Sequence, residues 1–241
     1  MIYILLPAYN EEKNLKKIFQ KIETIYKKKP NITTILVDDC STDNTILLLK
    51  KKYKFNLIYI KHKKNKGLSI TMETGFNQFL KRAKKKDIVI TLDSDNTHPI
   101  YIIPGMVKKI YKGSDIVIAS RFSKKSKING VTFWRYGLTL VAKYLFKLFY
   151  PYKNLNDYTC NFRAYKFELI KNLLKNKKFF KNEDFNIAAK IILFFTNKYK
   201  NLNLLEVPFT LSYEYKIGQS KMSLPKTILL TLRLIFFKSH K

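Results

Sequence analysis

The sequence predicts an α/β protein with a mostly parallel central sheet and helices on both faces, and three observations lead there. Across residues 1–120, short apolar runs rich in β-branched residues alternate with stretches whose apolar residues recur at helical spacing. The runs carry no in–out polar alternation, as expected for strands buried on both faces. Several also stop abruptly in acidic residues, at Asn10-Glu11, Asp38-Asp39 and Asp93-Ser94-Asp95. In sheets of this kind ligands sit beyond the carboxyl ends of the strands, so one edge collects all three acidic ends.

Taken in order, residues 2–6 form the first strand, ended by Pro7-Ala8-Tyr9-Asn10, and Leu15, Ile18, Phe19, Ile22, Ile25 and Tyr26 mark the first helix. Residues 34–37 form the second strand; Ser41 or Thr42 caps a following helix whose apolar run is 46–49. A third strand at 57–60 and a third helix at 68–83 follow. Next come a strand at 88–92, a helix at about 99–111 and a fifth strand at 116–119. The polar stretch 122–133 carries Gly130 and reads as a mobile loop, a lid over whatever binds at the edge.

The stretch Asp93-Ser94-Asp95-Asn96-Thr97-His98-Pro99 is the strongest chemical signal. Carboxylates at i and i+2 on extended chain project from the same side, roughly 7 Å apart. Where the chain curls off a sheet edge they can converge on a hard cation, which prefers oxygen ligands. A plain polar turn is the competing reading, and the position after a buried strand favours the cation.

The net charge is +30, with 47 Lys and Arg against 17 Asp and Glu. Lys dominates and is scattered in triplets (Lys27-Lys28-Lys29, Lys50-Lys51-Lys52, Lys84-Lys85-Lys86) beside abundant Asn, Ile, Tyr and Phe, the pattern of AT-rich codon usage. With no aromatic-interleaved basic ribbon and no zinc-finger motif, no nucleic-acid partner is expected. An anionic membrane surface could still exploit the charge. Cys40 and Cys160 give neither a disulfide framework nor metal-ligand spacing, which fits a reducing, cytoplasmic setting. The N-terminus lacks a basic n-region, so no signal peptide is expected, and no apolar run approaches the ~20 residues needed to span a bilayer. No Gly-x-Gly-x-x-Gly follows the first strand, which disfavours a hydride-transferring dinucleotide enzyme.

The blocks Pro7-Ala8-Tyr9-Asn10-Glu11, Val37-Asp38-Asp39-Cys40-Ser41-Thr42-Asp43, Asn65-Lys66-Gly67-Leu68, Asp93-Ser94-Asp95 with His98-Pro99, and Ala119-Ser120-Arg121-Phe122 occur in this order. Together they resemble family 2 glycosyltransferases, most closely the dolichol-phosphate mannosyltransferase-like branch that uses polyprenyl-phosphate acceptors. Asp157-Tyr158-Thr159-Cys160-Asn161-Phe162-Arg163, Glu206-Val207-Pro208 and Gly218-Gln219-Ser220-Lys221 resemble later blocks of that branch. The resemblance covers about residues 2–225. It implies a GT-A fold, a nucleotide-sugar donor such as GDP-mannose or a UDP-hexose, and Mg²⁺ or Mn²⁺. The chain departs from the pattern at Ser69, where the family often has a second Gly, at Asn161, which replaces the Gly of the later motif, and at Ser212, where relatives often carry Arg. A helix Glu expected near 188–190 is replaced by Ala188-Ala189-Lys190.

Carried onto these residues, the resemblance implies that Asp95 ligates the metal and that Asp93 ligates it or positions the donor. Asp38 and Asp39 read base and ribose, carboxylates being suited to hydroxyl and N–H donors. Pro7, Tyr9 and Glu11 complete the nucleotide wall, with Ser94 beside them. Lys66-Gly67 opens a helix whose N-terminus suits phosphate. His98 either reaches the diphosphate or braces the metal loop. The acceptor phosphate needs cationic clamping, for which Arg is suited by its planar fork. Only Arg82, Arg121, Arg135, Arg163 and Arg233 occur among the 47 basic residues. Arg121 and Arg135, with Thr139, form the expected acceptor-phosphate group, and Arg163 serves the same pocket or anchors its loop.

Residues 134–152 are apolar with interspersed Arg135, Lys143 and Lys147, and residues 224–237 repeat the character. Both read as helices lying in a membrane interface. A core helix is the alternative for the first, an oligomer contact for the second. The expected organisation is a catalytic domain over 1–223 and an amphipathic basic segment over 224–241, on the cytoplasmic face of a membrane or against a small membrane partner. The leading reading is an inverting transfer to a polyprenyl phosphate; transfer to a saccharide acceptor is the alternative.

Overall fold

The computed structural model describes residues 1–27, 31–50, 52–181, 186–218 and 223–236. Lys28, Lys29 and Lys51 of the lysine triplets, Gln219-Ser220-Lys221 of the last motif, and residues 237–241 of the C-terminal segment lie outside them.

The first half alternates as the apolar runs require: β1 (Ile2–Ala8), α1 (Glu12–Tyr26), β2 (Ile32–Asp38), a 3-10 helix (Asn44–Lys50), β3 (Asn56–Lys61), α2 (Gly67–Arg82), β4 (Ile88–Thr91), a 3-10 turn (Ile100–Ile102) leading into α3 (Ile103–Tyr111), and β5 (Ile116–Ser120). The second half contributes β6 (Lys127–Asn129), α4 (Phe133–Phe149), β7 (Arg163–Lys166), α5 (Phe167–Leu173), α6 (Ile187–Lys198), β8 (Leu204–Pro208), β9 (Thr210–Ser212), a 3-10 turn (Tyr213–Tyr215) and α7 (Leu224–Phe236).

Seven strands form the main sheet in the order β3-β2-β1-β4-β7-β5-β8. All run parallel except β7, which lies antiparallel between β4 and β5. Alternate residues of β1 face opposite layers. Ile2, Ile4 and Leu6 pack with Leu15, Ile18 and Phe19 of α1 and Met106 and Val107 of α3. Tyr3 and Leu5 pack with Met72, Phe76 and Phe79 of α2 and with the apolar faces of α5 and α6. Gly75 permits the close approach of α2: a Cβ there would lie 2.1 Å from Leu5 Cδ1.

Three local expectations are corrected. Residues 44–50 wind as a 3-10 helix, opened by Asp43, whose carboxylate accepts the Thr45 N–H and hydroxyl. Ser41 does not cap it; its hydroxyl accepts the Asn10 N–H at 2.9 Å. The stretch 122–133 is tied down, because β6 within it pairs in parallel with β9 and the Ser126 hydroxyl donates to Ser120 O at 2.6 Å. The C-terminal segment, expected in a membrane interface or at an oligomer contact, packs in part on the chain itself: it buries Leu234 and Ile235 in the second core and sets Phe236 edge-on to Phe149 of α4 at 5.0 Å. Among the described residues, no helix is long and apolar enough to cross a membrane.

Candidate active site

Because β1, β2, β4, β5 and β8 run parallel, their carboxyl ends meet at one edge. The antiparallel β7 brings its amino end, and so the 157–162 stretch, to that same edge. Asn10 and Cys40 turn the chain there in the left-handed region, at φ 53 and 66. The two loops are stitched together by Asn10 Oδ1, which accepts the Thr42 N–H at 2.7 Å.

The two aspartates ending β2 face different surroundings. Asp38 is fully buried and accepts the Tyr59 hydroxyl at 2.6 Å and the Ser41 N–H at 2.7 Å. Burial and the Asp38 charge together push the Tyr59 hydroxyl well above its ordinary pKa. Asp39 reaches the cleft, where it meets His62 Nδ1 at 2.6 Å and accepts the Lys66 and Gly67 N–H groups at 2.9 and 2.8 Å. The α2 N-terminus, suited in sequence to phosphate, therefore already holds a carboxylate, which complements its dipole equally well. Gly67 enters the helix at φ 81, a conformation only glycine adopts without strain.

After β4, Asp93 and Asp95 diverge in partners. Asp95 Oδ1 accepts the Thr97 hydroxyl at 2.7 Å, a local side-chain turn helped by Asn96 at φ 64. Its Oδ2 lies 2.9 Å from Lys216 Nζ. Burial raises the Asp95 pKa, but the Lys216 and His98 neighbours and the hydrogen bonds outweigh it and hold the carboxyl below its usual range. Asp93 Oδ1 accepts from Asn161 Nδ2 at 3.1 Å, so Asn161 touches the loop after β4 directly. His98 braces that loop: its ring packs 5.2 Å from Phe162 and 5.8 Å from Phe209, and Nδ1 accepts the Asp93 N–H at 3.3 Å.

Among the described residues, no three His, Cys, Asp or Glu side chains form a metal cage. Asp93 and Asp95 nevertheless suit a hard divalent cation: both offer oxygen, both line the cleft, and Asp95 already holds a cation, the Lys216 ammonium. A ligand's own oxygens would complete the shell.

Arg121 at the end of β5 is held by the buried Asp157. Its Nε and Nη2 donate to the two carboxylate oxygens at 2.8 and 2.6 Å, and its backbone N–H adds a third bond at 2.9 Å. Burial disfavours the Asp157 charge, yet Arg121 and the surrounding N–H donors overcome this and leave its pKa lowered. Glu206 of β8 supports the loop by accepting the Asn156 and Asp157 N–H groups, each at 2.7 Å. Arg163 is an anchor and not a pocket residue: fully buried, it donates to the carbonyls of Tyr158 and Ala188. Ser69, where relatives have Gly, spends its hydroxyl on Phe180 O at 2.8 Å. Ser212 is buried and its hydroxyl approaches Glu214 at 3.4 Å.

Asp39, Asp93, Asp95 and Arg121 line one cleft of about 580 Å³. One wall is polar, with Pro7, Tyr9, Glu11, Asp39, Gly67, Asp93, Ser94 and Asp95. The other lies between α4 and α7 and is apolar, with Leu138, Val141, Leu145, Ile228 and Leu232. Arg121, Arg135 and Thr139 also line it, and the Thr139 hydroxyl donates back to Arg135 O at 2.8 Å. The Arg135 guanidinium makes no hydrogen bond or ion pair among the described residues. Asp38 and Lys66 are absent from the lining among the described residues and act behind it, Asp38 through Tyr59 and Ser41, Lys66 through its N–H to Asp39.

Sequence reasoning missed Lys216, the clamp of Asp157 and Glu206, and the Asn161–Asp93 contact. Asp157 and Glu206 lay inside recognised blocks, so a signal existed; Lys216 was one lysine among many.

The model of the family described as Glycosyl transferase family 2 matches residues 3–174. A protein named dolichol-phosphate mannosyltransferase from Pyrococcus furiosus is 30% identical over 239 residues, 98% of this chain and 62% of that protein. An undecaprenyl-phosphate 4-deoxy-4-formamido-L-arabinose transferase from Proteus mirabilis is 28% identical over 178 residues, 72% of this chain and 51% of that protein. The chain thus spans under two thirds of the length of either relative. Among solved structures, glucosyl-3-phosphoglycerate synthase from Mycobacterium tuberculosis, crystallised with Mn²⁺, UDP and glucosyl-3-phosphoglycerate, superposes with a TM-score of 0.66 at 16% identity, over 98% of this chain and 77% of that one. The chain belongs to glycosyl transferase family 2 and has the GT-A fold.

Proposed function

We propose that the chain transfers a sugar from a nucleotide-sugar, GDP-mannose or a UDP-hexose, to a polyprenyl phosphate at the cytoplasmic face of a membrane. One observation carries this: a single cleft joins acidic strand ends to an apolar trough between α4 and α7, with arginines at the junction. A soluble saccharide acceptor has no use for such a trough. The names of the two relatives, both polyprenyl-phosphate sugar transferases, point the same way.

In this reading Pro7, Tyr9, Glu11 and Asp39 receive the nucleoside, while Asp38 fixes the wall from behind. Asp95 and Asp93 would hold Mg²⁺ or Mn²⁺, which when bound would supply positive charge to offset that developing on the departing diphosphate. The acceptor phosphate arrives ionised and needs no strong base. Arg135 and Thr139 meet it, and Arg121, aligned by Asp157, adds positive charge from the side. Its oxygen attacks the anomeric carbon opposite the departing nucleotide, so configuration inverts. Residues 1–223 form the catalytic domain, and α7 joins α4 in resting on the bilayer interface or against a small membrane partner. Lysines near an anionic leaflet contribute up to about 1 kcal/mol each.

The test is a panel of radiolabelled GDP- and UDP-sugars with a polyprenyl phosphate or a soluble saccharide, with and without chelator. Label entering the lipid phase in a metal-dependent way supports the reading. Label entering only the saccharide removes the lipid acceptor.

A further inference from the structure

Within the cleft, Lys216 pairs with one of the two carboxylates that suit a divalent cation. Its ammonium lies 2.9 Å from Asp95 Oδ2, while Asp95 Oδ1 is taken by the hydroxyl and N–H of Thr97. Oδ2 is therefore the oxygen turned towards a cation, and Lys216 has it. The segment carrying Lys216 is anchored without Asp95. The Ile217 N–H donates to Asn14 Oδ1 at 3.0 Å, Asn14 Nδ2 donates to Ile217 O at 2.9 Å, and Asn96 Nδ2 donates to Tyr215 O at 3.1 Å. Asn96 in turn accepts from Lys21 Nζ at 2.6 Å. The ammonium is thus delivered to Asp95 by backbone held at both sides, and only 14% of its side chain is exposed.

A divalent ion ligated by Oδ2 would sit roughly 2.0–2.6 Å from that oxygen. The ammonium on the same oxygen would then lie within a few ångströms of a doubly charged ion in a partly dry cleft, where like charges repel strongly. The two cations exclude one another.

We propose that Lys216 is a built-in competitor for the Asp95 cation seat. It neutralises Asp95 in the nucleotide-free protein and gives the seat up when a divalent cation arrives together with an anionic diphosphate. The freed ammonium stays in the cleft, where diphosphate compensates the charge it gave up on Asp95. Cation and nucleotide consequently bind as a coupled pair, and the cation alone binds weakly. The inference rests on the proposed metal role of Asp95 and adds a partner that this role leaves unassigned.

The experiment titrates Mn²⁺ alone into the whole chain at fixed pH, followed by calorimetry and by the Mn²⁺ paramagnetic resonance signal. It is then repeated with saturating UDP or GDP. Lys216→Met and Lys216→Gln should each bind Mn²⁺ about tenfold more tightly than the parent without nucleotide, the loss of one charge-assisted contact that the ion no longer has to displace. Lys216→Arg, which keeps the charge, should stay near the parent. Nucleoside diphosphate should tighten Mn²⁺ binding less in Lys216→Met than in the parent. Parent-like Mn²⁺ affinity in both neutral variants overturns the competition. Asp95→Asn separates this failure from that of the metal assignment. If it loses Mn²⁺ while Lys216→Met matches the parent, only the competitor role falls. If it binds Mn²⁺ unchanged, the metal seat falls and the competitor with it.

Discussion

At the strand-edge end of the cleft, Asp38, Asp39, Asp93 and Asp95 each accept hydrogen bonds from named partners, whereas α4 buries only Phe146. Phe133 and Trp134 at the start of α4 stand 82% and 81% exposed. The first end is organised before any ligand arrives, and fixed dipoles of that kind act without reorganising when charge develops. The second end shows apolar surface that a soluble chain would ordinarily cover. The contrast separates an end whose polar groups already partner one another from an end whose apolar surface is left exposed. Arg121 and Arg135 display it at close range. Arg121 is locked onto Asp157 by a bidentate pair, while Arg135 makes no ion pair among the described residues.

The largest expected effect falls on the organised end. Asp95→Asn should lower transfer by about a thousandfold, the scale on which enzymes lose a preorganised electrostatic group, with the fold intact. Full activity in that variant would remove Asp95 from the metal site.

Next comes stability. Asp157→Ala leaves the Arg121 charge buried without its partner, which should cost about 3–5 kcal/mol in denaturant unfolding. Arg135→Ala should cost almost nothing in the same assay, so similar losses would erase the contrast between the arginines. The pH dependence has a definite sign. The Asp157 pKa is lowered in the folded chain, so its contribution is fully present above the unfolded carboxyl pKa of about 3.9 and is lost as pH falls below it. Asp157→Asn should therefore flatten the acid limb of the stability curve.

A smaller effect belongs to the exposed aromatics. Replacing Phe133 and Trp134 together by Ser should weaken sedimentation with anionic liposomes several-fold, since each would bury apolar area on docking to an interface, and leave unfolding unchanged. Undiminished binding would assign the attraction to scattered lysine charge.

The contrast also explains what the sequence made legible. β1, β2, β4 and β5 announce themselves because strands covered on both faces need unbroken apolar runs, and their acidic ends locate the edge. β7 does not, because it is four residues long and opens with Arg163, a charge tolerated in the core only through its carbonyl partners. β6 and β9 have three residues each, too few for a period to show. The 3-10 helix at Asn44–Lys50 shares its short apolar run with an α-helix, and the Asp43–Thr45 bond that sets it is a side-chain detail. At the site, Asp93 and Asp95 stand out in sequence because carboxylates are rare in this chain. Lys216 does not, because Lys is the default basic residue, and only the fold places it on Asp95 across 121 positions of sequence.

The claim that this cleft pairs a fixed donor site with a lipid-phosphate site is tested most directly at Arg135. Steady-state kinetics with varied polyprenyl phosphate, beside calorimetric titration of the donor nucleotide, separates the two ends. Arg135→Ala should raise the acceptor concentration required about tenfold to a hundredfold, the worth of one charge-assisted phosphate contact. Arg135→Lys should recover only part, since a point charge lacks the planar fork. Donor affinity should stay at the parental value in both. A collapse of donor binding with an unchanged acceptor dependence would contradict the account, moving Arg135 to the diphosphate and leaving the apolar trough without a phosphate at its mouth.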